Sequence, residues 1–332
     1  MLPLPFRAMD SSRRRLLGGL LVLSALAVLV GIAVLVLRGT GDAFPSFTLP
    51  TFGGRPTAGS STGSGASPTG IGPRRVWLIV LENRSYGQLV GEGDAPFINA
   101  LAARFGLATD YHGVARPSQP NYLALISGST QGVKDDDVHD LDARTLLDQL
   151  DDTGHTWRVF AENVPSGCYL GASARNGPDG EGAYARKHEP AISFVSVSRN
   201  PARCGRIGNL ASFTPAAADF NLIVPNLCHD MHDCSTRAGD AWLAQFVPRI
   251  ISSDAFRQGG LLLIAFDEAS SRDGSQHTLL LFAGRGVTPG RRAAGRADHY
   301  ALLRSVQRIF GLDCIAESCR APVLPELLAA DS

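Results

Sequence analysis

Val76-Trp77-Leu78-Ile79-Val80-Leu81-Glu82-Asn83 opens the stretch around which this chain is organised, and Arg116-Pro117-Ser118-Gln119-Pro120-Asn121-Tyr122 leads to its close at Gly128. From Val76 to Leu81 every residue is apolar and several are branched. That is the pattern of a strand buried on both faces in the middle of a parallel sheet. The run stops at Glu82-Asn83, so a carboxylate and an amide stand where the strand leaves the sheet, the edge at which open α/β sheets bind ligands. A second strand-like run, Thr109 to Ala115, breaks at Arg116. Pro117 and Pro120 restrict the backbone around Ser118. A hydroxyl held at a strand-to-helix junction suits a nucleophile. A proline-bracketed turn, with a serine chosen for local hydrogen bonding, is the competing reading.

Working outward, strand-like and helix-like segments alternate. Pro96 to Arg104 and Arg144 to Asp152 carry helical spacing, the second closed by Gly154. Thr156 to Ala161, Phe220 to Val224, Leu261 to Phe266 and Thr278 to Ala283 read as strands. Asp240 is placed to cap a helix running to Ile251 with an interruption at Pro248. Tyr300 to Phe310 forms a closing helix. This alternation predicts an α/β domain with a mainly parallel central sheet and helices on both faces. Gln131 to Asp142 and Arg175 to Glu181 read as surface loops.

The 332-residue chain is 44% hydrophobic and 19% charged, enough for a substantial core. Lys plus Arg and Asp plus Glu are balanced at 31 each, so no global field favours nucleic acid, and no nucleic-acid partner is expected. Residues 1–15 read as a short cytoplasmic tail ending in Arg13-Arg14-Arg15. Leu16 to Leu37 carries no charge and would span roughly 33 Å as a helix, enough for a bilayer core. The flanking arginines would hold the N-terminus inside and the rest outside the cytoplasm. An uncleaved membrane anchor is favoured over a cleaved signal, because the run is long and no small-residue cleavage pattern follows. Ser12 to Leu17 also has the look of a twin-arginine export signal. Residues 38–73, rich in Gly, Ser, Thr and Pro, read as a flexible linker, which starts the catalytic domain at Arg74 and runs it to Ser332. An exported chain with six cysteines suggests disulfides. Cys228–Cys234 and Cys314–Cys319 would close small loops, leaving Cys168 and Cys204 to each other, and the absence of C-x-x-C spacing weakens a zinc cluster.

The chemistry gathers where strands end. Asp267-Glu268 follows a buried run, and two adjacent carboxylates repel unless a cation or donor neutralises them. Asn226-Leu227-Cys228-His229-Asp230-Met231-His232-Asp233-Cys234 packs two His and two Asp into five consecutive positions, 229 to 233. In an extended segment Asp230 and His232 would point the same way. A polar loop with incidental His is the alternative, and His299 alone reads as an ordinary residue at a helix start. Together Glu82, Asn83, Ser118, Asp230, His232, Asp267, Glu268 and His299 make a mixed oxygen and nitrogen set around one hydroxyl. Such a set supports nucleophilic attack on phosphorus assisted by a divalent cation. The donors suit Zn, Mn, Fe or Ca. Asn121, His229 and His277 complete the candidates as substrate-binding groups. No G-x-S-x-G elbow is present, which argues against an α/β-hydrolase esterase.

LIVLENRSY, RPSQPNYLALISG, PNLCHDMHDC, GDAWL, AFDE and DHYALLRSVQRIFGL resemble, in order, motifs of the phosphoesterase family of bacterial phospholipases C and acid phosphatases. That family lies in the alkaline-phosphatase-like superfamily, and the resemblance runs from Arg74 to Leu312. It implies an alkaline-phosphatase-like fold and metal ligands at Glu82, Asn83, Asp267 and Glu268, with Ser118 as nucleophile and further ligand. It also implies site roles for Asp230, His232 and His299 as ligands or as phosphate-binding and acid groups. Ser118-Gln119-Pro120-Asn121 resembles the nucleophile motif of nucleotide pyrophosphatases as well. The domain lacks the long insertions of larger phospholipases C, which favours a small phosphomonoester. The expected function is an extracytoplasmic acid-phosphatase-like hydrolase working through a phosphoserine. A phospholipase C aided by the membrane anchor is the alternative, and a catalytically silent surface binding module is the alternative from another class.

Overall fold

The structure, a computed structural model, describes residues 75–175, 183–270, 272, 274–284 and 286–328. The expected anchor and linker, and most of the expected loop Arg175 to Glu181, lie outside the described residues. Among the described residues no helix is long and apolar enough to cross a membrane.

β1 (Arg75–Leu81) sits in the interior of the sheet, and from Val76 onward both alternating sets of its side chains are buried. A strand covered on both faces needs no polar side, which is why its sequence is a continuous apolar run. In chain order follow β2 (Gly106–His112), β3 (Trp157–Ala161), a two-residue pair β4 (Ser173–Ala174) and β5 (Tyr184–Ala185), and β6 (Ile207–Asn209). β7 (Phe220–Val224), β8 (Gly260–Phe266), β9 (His277–Gly284), β10 (Arg291–Ala293) and β11 (Ala297–Asp298) complete the set. The main sheet runs β10-β2-β9-β8-β1-β7-β3-β6, with β11 also on β2, while β4 and β5 pair separately. β1 lies parallel between β7 and β8, and Leu81 stands opposite Phe266 in register. Glu82 and Asp267 therefore leave the sheet side by side.

The direction of one strand departs from the parallel pattern. β9 runs antiparallel to both β8 and β2. The connection from β8 spans residues 267–276, too short for a crossover helix, so β9 returns as a hairpin. Apolar patterning reports burial and carries no information on strand direction.

Two further expectations are corrected. The strand expected over Thr109 to Ala115 is β2 at Gly106–His112, because the N–H groups of Val114 and Ala115 donate to Asn121 Oδ1 and leave the ladder. The helix expected to start at Asp240 begins at Thr236, is capped by Ser235 and continues through Pro248 to Ile251. Asp240 caps another helix instead. Its carboxylate accepts from the N–H groups of Phe97 (3.0 Å) and Ile98 (2.8 Å), in the first turn of the helix Pro96–Arg104. That helix has Ala95 at its N-cap and no capping side chain of its own. Asp240→Ala should thus lower stability by about 1–3 kcal/mol by leaving two buried N–H groups without an acceptor. A thermal midpoint equal to that of the parent would contradict this role.

All three expected disulfides are present, Cys168–Cys204, Cys228–Cys234 and Cys314–Cys319.

Candidate active site

Ser118 is the first residue of the ten-residue helix Ser118–Ser127, with Pro117 as N-cap and Pro120 in the first turn. A proline there costs nothing, because first-turn N–H groups have no intrahelical acceptor. Asn121 locks the approach. Besides accepting from Val114 and Ala115, its amide donates to the carbonyls of Ala115 (2.9 Å) and Pro117 (3.2 Å). With its oxygen and nitrogen both committed to backbone, Asn121 is a clamp on the nucleophile loop rather than a substrate contact. Gly113 lets this loop pass the end of β8, since a Cβ there would lie 2.7 Å from the Asp267 carbonyl oxygen.

The Ser118 hydroxyl donates to Glu82 Oε2 at 2.7 Å, and Asn83 Nδ2 donates to the same oxygen at 3.0 Å. Asn83 has φ +50°, the left-handed region that asparagine tolerates, and its N–H donates to Asp267 Oδ1 at 3.1 Å. The backbone thus turns off β1 to join two carboxylates that neighbouring strands deliver.

A residue absent from the sequence expectations completes the centre. His188 is 1% exposed and lies in a short turn, Arg186–His188. Its Nδ1 donates to Asp230 Oδ2 at 3.1 Å, which leaves Nε2 as a lone pair. That lone pair stands 3.1 Å from Glu82 Oε1. Glu82 Oε1, His188 Nε2 and Asp267 Oδ2 are all buried without a well-formed hydrogen bond, although the Tyr122 hydroxyl lies near enough to Glu82, and the Ser118 hydroxyl near enough to Asp267, to help hold the charged carboxylates. Two acceptor atoms facing each other in a dry interior repel unless a proton or a cation lies between or beside them. Ligand atoms of Glu82, His188 and His232 all fall within 4.8 Å of one another. The donor set fits a divalent cation.

Electrostatics point the same way. Burial, then the charges of Asp267 and Asp230, holds the Glu82 carboxyl well above the usual range. Burial pushes Asp230 up to about 8. Asp267 also rises to about 8, through burial and then Glu268. Burial pushes His188 well below its ordinary value, with Lys187 and His232 adding to the effect, which keeps its ring neutral. Glu268 is raised by burial, although Arg116 Nη1 binds its Oε2 at 2.9 Å. A cluster of carboxylates that cannot all ionise alone is the counterpart of a missing positive charge.

The remaining candidates separate. Asp230 and His232 do reach one centre, but through a turn with Met231 at φ +80° rather than an extended segment. His232 Nδ1 lies 2.7 Å from Asp233 Oδ1, and its Nε2 accepts from Lys187 Nζ at 3.2 Å. His299 Nε2 donates to the Asp267 carbonyl at 2.5 Å, and its Nδ1 accepts from the Tyr111 hydroxyl at 2.6 Å. Both ring nitrogens are used, and burial lowers the ring to about 4. His299 therefore holds the Asp267 backbone rather than facing a ligand. His229 turns to Glu162 Oε2 at 2.8 Å and stacks on Trp242. His277 contacts the Thr109 carbonyl and stacks between Tyr86 and His112. Neither joins the centre. A cavity of about 600 Å³ at the amino end of β3, beside Trp157, Arg158 and Arg206, shares no residue with it.

The only early sign of His188 was a local one, the Arg186-Lys187-His188-Glu189 run that mixes two cations with an imidazole. Nothing in its spacing ties it to a strand end.

A phosphatidylinositol-3-phosphatase of Mycobacterium tuberculosis is 31% identical over 256 residues, covering 76% of this chain and 82% of that protein. An acid phosphatase of Aspergillus fumigatus is 28% identical over 267 residues, 77% of this chain, and the match spans 59% of that relative's length. A Vibrio parahaemolyticus protein of the alkaline phosphatase superfamily superposes with a TM-score of 0.50 at 11% identity, covering 79% of this chain and 71% of that one, which shows the fold alone. Residues 91–313 match the model of the phosphoesterase family, and with that match over most of the described domain the chain belongs to this family.

Proposed function

We propose that this chain is a metal-dependent hydrolase of phosphoric monoesters, acting through a phosphoserine at Ser118 and working outside the cytoplasm. One observation carries the reading: the Ser118 hydroxyl shares Glu82 with an unpartnered His188 nitrogen. Glu82, His188, Asp230 and Asp267 would hold the cation, joined by His232 if its Nε2 exchanges the Lys187 ammonium for the metal, with Asn83 and Glu268 alongside. Two imidazoles among the donors favour Zn, Mn or Fe over Ca, which takes oxygen ligands. When bound, the cation supplies Lewis-acid charge neutralisation at the phosphoryl oxygens.

The chain's own residues supply the rest. The hydrogen bond to Glu82 Oε2 directs the Ser118 proton away as Oγ attacks phosphorus. An O–P bond forms, the bond to the leaving oxygen breaks, and water then releases phosphate from Ser118. His299 and Tyr111 fix the Asp267 carbonyl so that its carboxylate keeps its place. Three disulfides suit an oxidising compartment. The mycobacterial relative is a phosphatidylinositol-3-phosphatase, which favours lipid-borne phosphomonoesters as a second substrate form.

The purified chain, stripped with a chelator, should be inactive and should regain hydrolysis of soluble phosphomonoesters when Zn, Mn or Fe is restored. Full activity after exhaustive chelation would refute the metal requirement. Inactivity on every phosphate ester with every metal would favour a silent binding module.

A further inference from the structure

Lys187 and Asp136 are used by none of these steps, yet both stand at the edge of the centre. Lys187 Nζ lies 2.9 Å from Asp136 Oδ2 and 3.2 Å from His232 Nε2. The other Asp136 oxygen accepts from the Gln119 N–H at 3.0 Å, one residue beyond Ser118. One carboxylate therefore bridges a lysine ammonium and an amide at the start of the nucleophile helix, where backbone donors and the helix dipole favour anions. Two oxygens on two donors is the geometry a phosphoryl group would adopt there.

The neighbouring cations are committed elsewhere. Arg84 donates to Thr236 Oγ1 and the Cys234 carbonyl, and Arg116 to Glu268 and the Ser270 carbonyl. Lys187 and Asp136 are each part-exposed, at 20% and 30%. An ion pair so placed contributes little to stability. Asp136 comes from Gln131 to Asp142, a loop with no helix or strand of its own.

We propose that Lys187 and the Gln119 amide form a phosphoryl-binding seat beside Ser118, and that Asp136 occupies this seat until substrate displaces it. The seat rests on the phosphomonoesterase reading above and adds to it which residues recognise the transferred group. A phosphate dianion carries more charge than a carboxylate and wins both donors. Asp136 competes for the same two donors, so only a ligand that binds them more strongly than a carboxylate displaces it.

Titration calorimetry of inorganic phosphate into the full-length chain with metal restored tests this. Lys187→Met should weaken phosphate binding by about tenfold or more, and Lys187→Arg should keep most of it. Asp136→Asn should tighten binding severalfold, because the repelling charge is gone and the lysine is released. Opposite signs for the two residues are the signature; an ion pair that only ties loops together would move both variants the same way or neither. Either of those results overturns the proposal, as does a parent that binds no phosphate. If Lys187→Met does not fold, Lys187→Gln takes its place. A parent that binds phosphate with this sign pattern but hydrolyses nothing supports the seat and refutes the phosphatase reading. A parent that hydrolyses phosphomonoesters while Lys187 variants keep its phosphate affinity refutes the seat alone.

Discussion

Ser118→Ala should abolish most turnover of a phosphomonoester, on the order of 10³-fold or about 4 kcal/mol of transition-state stabilisation. The loss is large because the hydroxyl is the atom that bonds to phosphorus, and Glu82 cannot substitute for it. The variant should still bind the cation, since Glu82, His188 and His232 keep their ligand atoms. Added metal should not rescue it at any concentration. Asp267→Asn should fail differently: it weakens the metal site and should recover partly in excess metal. Metal affinity measured alongside turnover separates the two defects. If Ser118→Ala turns over at the parental rate, a water molecule attacks instead and the phosphoserine route is wrong.

Removal of the metal should make stability strongly dependent on pH. Burial pushes Asp230 and Asp267 up to about 8, and it raises Glu82 and Glu268 as well. Unfolded carboxylates titrate near 4. Between those values these groups bind more protons in the metal-free native state than in the unfolded chain, so their contribution to stability is full below about pH 4 and is lost as pH rises toward 8. Each such group contributes a slope of roughly 1 kcal/mol per pH unit within the window. A bound cation replaces the protons, so the gain in thermal midpoint on metal addition should be small near pH 5 and large near pH 8. Chelated and metal-restored samples unfolded at both pH values provide the measurement. An equal gain at the two values would mean that these carboxylates do not hold the cation.

Much of the fold was legible because its cause is local. The apolar run from Val76 to Leu81 specified a doubly covered strand, and Leu261 to Phe266 did the same for β8. The apolar run from Phe220 to Val224 coincides with β7 end to end. Close cysteine spacing was enough to pair Cys228 with Cys234 and Cys314 with Cys319. Where parallel strands end is also visible in sequence, which is how Glu82 and Asp267 were suspected of meeting before any register was known.

Tertiary structure decided what depends on partners far along the chain. Burial patterning has no sign for strand direction, so β9 could reverse without leaving a trace in its residues. Asp240 carries a capping residue's chemistry, but only packing determines which helix receives it, here one that starts 144 residues earlier at Pro96. His277 and His229 are as suited to ligation as His188 by residue type. The turn at Arg186–His188 brings His188 to Glu82, while the other two rings are spent on Thr109 and Glu162. A side chain's chemistry is written in the sequence; the lone pair it has left to offer is set by the neighbours that the fold supplies.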